Sequence, residues 1–201
     1  MQIHNTYLVA ETADGILIVD QHALHERVLF EDLMARLEAG PLEGQRLLVP
    51  VTVDLSDRDL AALEEHRAAL GRMGIEAEPI GPRSVAIHAF PAVLNKADPE
   101  GTLRDFLGWA TACDSPPAAR QVLEQLAHVA ACRAAVKAGD PLKPEEVEAL
   151  LEYRDAAGLA ATCPHGRPTA LVLKKADLEK QFGRDYVAAR RKESGAEPMP
   201  F

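Results

Sequence analysis

The chain has 201 residues, with 31 Asp and Glu against 22 Lys and Arg and a formal net charge of -9. No global positive field draws it onto nucleic acid, so any such contact has to be local or delivered by a partner. Hydrophobic residues at 47% and charged residues at 26% exclude wholesale disorder and fibrous repeats, and no apolar run approaches the roughly 20 residues of a membrane helix.

Taken in chain order, Thr6 to Ala10 and Ile16 to Val19 are short apolar runs around Asp14-Gly15, a hairpin signal that predicts two antiparallel strands. From His22 to Leu37 the residues Phe30, Leu33, Met34 and Leu37 recur at helical spacing until Gly40-Pro41 stops the pattern. Leu47 to Val53 is a strand candidate that Pro50 confines to an edge or the end of an element. Ser56 caps a predicted helix carrying Leu60, Leu63, Leu70 and Met73, which Gly74 ends. Strands follow at Ile75 to Pro79 and Val85 to Ala89. Asn95 to Gly101 reads as a loop and Leu103 to Ala112 as a helix, so residues 52–115 form an α+β unit of their own.

Beyond Ser115-Pro116-Pro117 a long helix is expected to about Ala138, with Val122, Leu126, Val129, Ala130 and Val136 on one apolar side. Pro144 opens another, with Glu145 and Glu146 in its first turn. Ala170 to Leu173 reads as a strand, Asp177 to Phe182 as a short helix and Ser194 to Phe201 as a frayed tail. The N-terminus shows no secretory pattern, so the expectation is a cytoplasmic protein with no membrane partner.

Three cysteines, Cys113, Cys132 and Cys163, cannot all pair within the chain and read as free thiols or metal ligands. Aromatic residues at 4% argue against a stacking platform for single-stranded nucleic acid. The densest chemistry lies in Asp20-Gln21-His22-Ala23-Leu24-His25-Glu26, where a strand ends and a helix begins. His22 and Glu26, four apart, share a helix face just after Asp20, which is ligand geometry. A capped amphipathic helix with solvated histidines uses the same residues and stays open.

In Cys163-Pro164-His165-Gly166-Arg167-Pro168, two metal-capable side chains two apart can point the same way along an extended segment. A cysteine nucleophile is the rival for Cys163, although such a pair normally takes its base from a separate part of the chain. Cys132, sharing a helix strip with Val129 and Val136, reads by itself as a buried thiol, and Cys113 as ordinary packing. His4, His66, His88 and His128 show no partner signal. Serine-hydrolase, P-loop and dinucleotide motifs are absent from the sequence.

Together these segments resemble the C-terminal domain of the DNA mismatch repair protein MutL. Asp20-Gln21-His22-Ala23 with Glu26 and Glu31 is similar to that family's D-Q-H-A-x-x-E-x-x-x-x-E motif, and Ala131-Cys132-Arg133 to its A-C-R motif. Cys163 to Pro168 is similar to C-P-H-G-R-P, and Phe182-Gly183-Arg184 to F-x-R. The resemblance implies a homodimerising α+β domain in two parts. Residues 1–51 and 116–201 would form the dimerisation and endonuclease part, with 52–115 inserted as a regulatory part. It also implies metal-dependent nicking of duplex DNA, with Asp20, His22 and Glu26 catalytic and Asp20, His22, Glu26, Cys132, Cys163 and His165 as the metal ligands. Gln21, Glu31, Arg133, Arg167 and Arg184 would support them. Nucleoid association and contact with the MutS-bound mismatch complex, through the full-length protein, follow from the same resemblance.

Carboxylate and imidazole ligands suit hard cations that activate water in phosphodiester hydrolysis, while thiolates favour Zn²⁺. The expected division is a structural or regulatory Zn²⁺ and a catalytic Mn²⁺ or Mg²⁺. Glu31 is read as outer support or as the orienter of an arginine. The three motif arginines suit either substrate phosphate or pairing with Asp20, Glu26 or Glu31. Gln45-Arg46-Leu47-Leu48-Val49-Pro50 resembles the Q-x-x-[LI]-x-P motif by which bacterial MutL binds the DNA polymerase processivity clamp, with Gln45, Leu48 and Pro50 at the specified positions. A clamp encircling DNA would deliver an acidic nuclease to its substrate. The alternative from another class is a non-catalytic dimerisation module stapled by zinc.

Overall fold

Two antiparallel sheets organise the computed structural model, which describes residues 1–156 and 169–183. The first has the order β1 (Gln2–Ile3), β2 (Tyr7–Thr12), β3 (Gly15–Asp20) and β7 (Ala170–Lys174). The second has the order β4 (Gly44–Asp54), β6 (Ser84–Pro91) and β5 (Glu76–Pro79). Around them lie α1 (Gln21–Ala39), α2 (Asp57–Glu65), α3 (Arg67–Arg72), α4 (Pro99–Ala112), α5 (Ala119–Ala134), α6 (Pro144–Ala156) and α7 (Lys175–Gln181). The architecture is α+β, as the element pattern led one to expect.

The hairpin turns at Ala13-Asp14 rather than at Asp14-Gly15, because Gly15 already pairs with Thr12 and is the first residue of β3. Its missing side chain serves another purpose. A Cβ there would overlap the Leu173 carbonyl of β7, so glycine lets the third strand close on the hairpin.

Three helix expectations shift. The helix expected from Ser56 to Gly74 breaks at His66, which lies 8% exposed with its ring 5.6 Å from that of Phe106 in α4. Helix α4 starts four residues before Leu103, because Asp98 accepts from the Glu100 and Gly101 N–H groups and Pro99 occupies the first turn. Helix α5 stops at Ala134 instead of reaching Ala138, and Val136 lies in the segment that leaves it. The reason is that polar side chains of the N-terminal segment capture the 136–140 backbone.

The larger core joins Leu33 and Leu37 of α1, Leu103, Phe106 and Leu107 of α4, and Leu126 of α5 to Val53, Val85 and Ile87 of the second sheet. Each such side chain contributes about 1.5–3 kcal/mol on burial. Ala127, Ala130 and Ala131 of α5 are wholly buried, and small residues there let α5 approach α1 closely. The smaller core is Leu8, Leu17, Val19, Leu24 and Leu150, between the first sheet, α1 and α6.

Strand register places Leu8, Leu17 and Val19 on the covered face of the first sheet, while Val9, Ile18 and Leu171 form one row of its outer face and Glu11, Ile16 and Leu173 the next. Leu171 and Leu173 remain 61% and 42% exposed. Among the described residues this outer face is apolar and carries no covering element, the pattern of a surface suited to association.

Candidate metal centre

Asp20 ends β3 and caps α1, its Oδ1 accepting from the Ala23 N–H at 3.0 Å. Its own N–H donates to the Thr169 carbonyl at 2.9 Å. Thr169 is the residue that follows the Cys163 to Pro168 motif, so the described chain re-enters the fold beside Asp20. Cys163, His165, Arg167 and Arg184 themselves lie outside the described residues.

Gln21 is wholly buried. Its Nε2 donates to the carbonyls of Asn5 at 2.7 Å, Asp140 at 3.1 Å and Lys137 at 3.3 Å, and its Oε1 accepts from Gln2 Nε2 at 2.6 Å. Asn5 reaches this position through a turn in which His4 and Asn5 both have positive φ, 52° and 49°. The Asn5 carbonyl also accepts from the Gly139 N–H at 2.8 Å. Gln21 therefore ties β1 and the 136–140 segment to the start of α1.

At the next position, His22 Nδ1 lies 2.7 Å from the Val136 carbonyl. A carbonyl only accepts, so Nδ1 carries a proton, and in the neutral ring Nε2 is then the nitrogen with a lone pair to ligate. His25 Nδ1 accepts from the Val136 N–H at 3.2 Å. Burial, and then the Lys96 ammonium, hold His25 below the usual imidazole pKa, with Glu146 opposing and His22 adding to the depression.

Glu26 is 2% exposed. His128 Nε2 lies 3.7 Å from its Oε1, and the Cys132 thiol stands beside it. Burial raises the pKa of that thiol, and the Glu26 carboxylate raises it further. This is the opposite of the low-pKa environment of a cysteine nucleophile. A buried carboxylate beside a half-buried thiol suits a divalent cation, which would stabilise both as anions. The first and second motifs thus meet through α1 and α5. Among the described residues, no group of three or more His, Cys, Asp or Glu side chains is placed to hold a metal ion.

The remaining motif residues have other partners. Arg133 pairs with Asp105 and Asp98 of the α4 segment rather than with Asp20, Glu26 or Glu31. Glu31 pairs with Arg27, so it orients an arginine of its own helix. His128, which showed no partner signal, belongs beside Glu26; its spacing four residues before Cys132 was the clue available. His25 was legible in the same way, three residues from His22. The groove beside Val136 is lined by Lys96, Arg133, Lys137, Asp140 and Glu146, a mixed charge that singles out no anion.

Gln45, Leu48 and Pro50 lie on β4, an edge strand of the second sheet. Arg46 pairs with Ala89 and Val51 with Ile87, so residues 47–50 bulge opposite His88 alone. Leu48 is fully exposed and Val49 76% exposed.

The family model of the MutL C-terminal dimerisation domain matches residues 1–142. The chain is 41% identical over 183 residues to the DNA mismatch repair protein MutL of Brucella abortus (strain S19), covering 91% of this chain and 29% of that protein. It is 39% identical over 183 residues to the MutL proteins of Bartonella tribocorum and Bartonella bacilliformis, covering 91% of this chain and 30% of each. The chain thus spans under a third of the length of the curated relatives it matches.

Proposed function

Because the chain belongs to the family of MutL C-terminal dimerisation domains, we propose that it is the homodimerising, metal-dependent DNA-nicking part of a mismatch repair protein. The observation that supports the enzymatic reading is the buried Glu26 carboxylate beside Cys132, which brings residues of two separate motifs together across α1 and α5. Dimerisation uses the outer face of the first sheet, where Val9, Ile16, Ile18, Leu171 and Leu173 need a cover. The working division of the chain remains 1–51 with 116–201 for dimerisation and chemistry, and 52–115 for regulation. Sheet membership would move the second unit's start to Gly44.

Asp20, His22, Glu26 and Cys132, with Cys163 and His165, would hold the metal. When bound, a divalent ion supplies a water activated for attack and stabilises the leaving oxygen of the phosphodiester. The chain's own contributions are distinct. Val136 fixes the His22 tautomer, Asp20 is held by its capping bond, and burial keeps water from Glu26. Thiolates favour Zn²⁺ in a structural or regulatory role, and the oxygen and imidazole donors favour Mn²⁺ or Mg²⁺ for turnover.

The exposed bulge at Leu48 and Val49 fits capture by the processivity clamp, which would bring a chain of net charge -9 onto duplex DNA. A MutS-bound mismatch complex is the remaining partner, reached through the full-length protein, at the nucleoid.

The test is supercoiled-plasmid nicking with Mn²⁺ and the clamp, together with metal content, for the wild type and Asp20→Asn. Asparagine caps a helix as well as aspartate does, so the variant removes charge without removing the cap. Loss of nicking in a folded dimer supports the enzyme. A wild type that binds zinc and nicks under no metal supports the dimerisation module instead.

A further inference from the structure

We infer that His25 is a positioning residue: by accepting the Val136 N–H, it holds that residue so that its carbonyl takes the His22 Nδ1 proton and leaves Nε2 as the ligating nitrogen. The metal-binding part of this inference rests on the proposed function above, and the tautomer part stands without it.

The geometry is specific. His22 and His25 are three apart on α1 and so face one side of the helix. Val136 lies just beyond α5, and its two backbone groups meet the two rings in opposite senses, its carbonyl 2.7 Å from His22 Nδ1 and its N–H 3.2 Å from His25 Nδ1. The N–H can only donate, so His25 must offer a lone pair at Nδ1 and carry its proton on Nε2. The carbonyl can only accept, so His22 must carry a proton on Nδ1, which in the neutral ring leaves the lone pair on Nε2. Two histidines of one helix turn are thereby locked in opposite tautomers by a single residue.

The adjoining backbone is tied down as well. Lys137 N–H donates to Asp140 Oδ2 at 2.7 Å, and the Lys137 and Asp140 carbonyls accept from Gln21. Only at Val136 does a described side chain of α1 accept from this segment. The Val136 N–H belongs to the Ala135–Val136 peptide, whereas its carbonyl shares a peptide with the Lys137 N–H that Asp140 holds, so removing the His25 acceptor frees the first peptide and lets Val136 shift its carbonyl away from His22.

The test uses the whole chain, labelled with ¹⁵N in its imidazoles, as wild type, His25→Ala and His25→Asn. The asparagine amide oxygen occupies the place of Nδ1. In the metal-free proteins, His22 should be the Nδ1–H tautomer in the wild type and His25→Asn, and a mixture in His25→Ala. Zn²⁺ affinity by chelator competition should fall roughly 10–100-fold in His25→Ala and recover in His25→Asn. If His25→Ala does not form a folded dimer, His25→Gln, whose amide falls at the Nε2 position instead, serves as the defective variant. An unchanged His22 tautomer in the defective variant overturns the inference, as does an asparagine that restores nothing. A wild type that binds no metal overturns the metal centre, while the tautomer measurement still decides the role of His25.

Discussion

Arg133 Nε and Nη2 converge on one oxygen of Asp105, at 2.7 and 2.6 Å, and so fasten α5 to α4. The fit is close, since a Cβ on Gly101 would lie 2.5 Å from Arg133 Nη1. With the arginine side chain 37% exposed, the pair is worth about 0.5–1 kcal/mol. A double-mutant cycle of Arg133→Ala and Asp105→Ala in urea should return that coupling, and Gly101→Ala should abolish it. A coupling near zero would leave the guanidinium available for substrate phosphate.

Gln21 bridges three carbonyls while wholly buried. Gln21→Ala should cost about 2–3 kcal/mol by denaturant unfolding, because Gln2 and the carbonyls lose their partner. Gln21→Glu should cost more, since a carboxylate cannot donate to them. A variant as stable as the wild type would show that the 136–140 segment is held by other bonds.

His25 titrates below the unfolded-chain value of about 6.5, chiefly through burial and Lys96, with His22 adding and Glu146 opposing. Folding therefore favours neutral imidazole, and its contribution is complete above that value. As pH falls toward the folded pKa, the unfolded chain takes up the proton first and stability declines. Thermal melts of metal-free protein between about pH 7.5 and about pH 5.5 should show this loss, and His25→Asn should flatten it.

Leu48→Ala should change stability by less than about 0.5 kcal/mol, since the side chain is fully exposed, and yet abolish clamp-stimulated nicking with basal nicking kept. Gln45→Ala should behave alike. Stimulation that survives both substitutions removes the clamp from the partners.

Leu171→Asp puts a charge on the outer face of the first sheet. Sedimentation should show monomers at concentrations where the wild type is dimeric, with the melting temperature of the smaller core little changed. A dimer that persists places the interface elsewhere.

Much of this was legible in the residues. Alternation marked β2 and β3, Ser56 and Pro144 marked helix starts, and the spacing of His22 and Glu26 marked the face that α1 turns toward α5. The failures share one cause. Helix α5 has an apolar pattern running on to Val136, and nothing local says that Gln21, His22 and His25, far away in the chain, will claim the backbone there. His66 likewise has helical neighbours on both sides, and its packing partner, the ring of Phe106, lies on another helix. Asp98-Pro99 was a local cap signal that the loop reading of Asn95 to Gly101 passed over. Arg133 drew attention to acids inside the motifs, whereas Asp105 is outside them.

Strand β3 is six residues long, and its outward row passes from Ile16 through Ile18 to Asp20, which pairs with Tyr7. One short strand therefore carries both the surface that would meet a second copy and a residue that would meet the ion. Any influence that one of these equilibria exerts on the other through the strand is reciprocal. Cation occupancy should tighten the subunit association constant, and subunit association should tighten cation retention by the same factor.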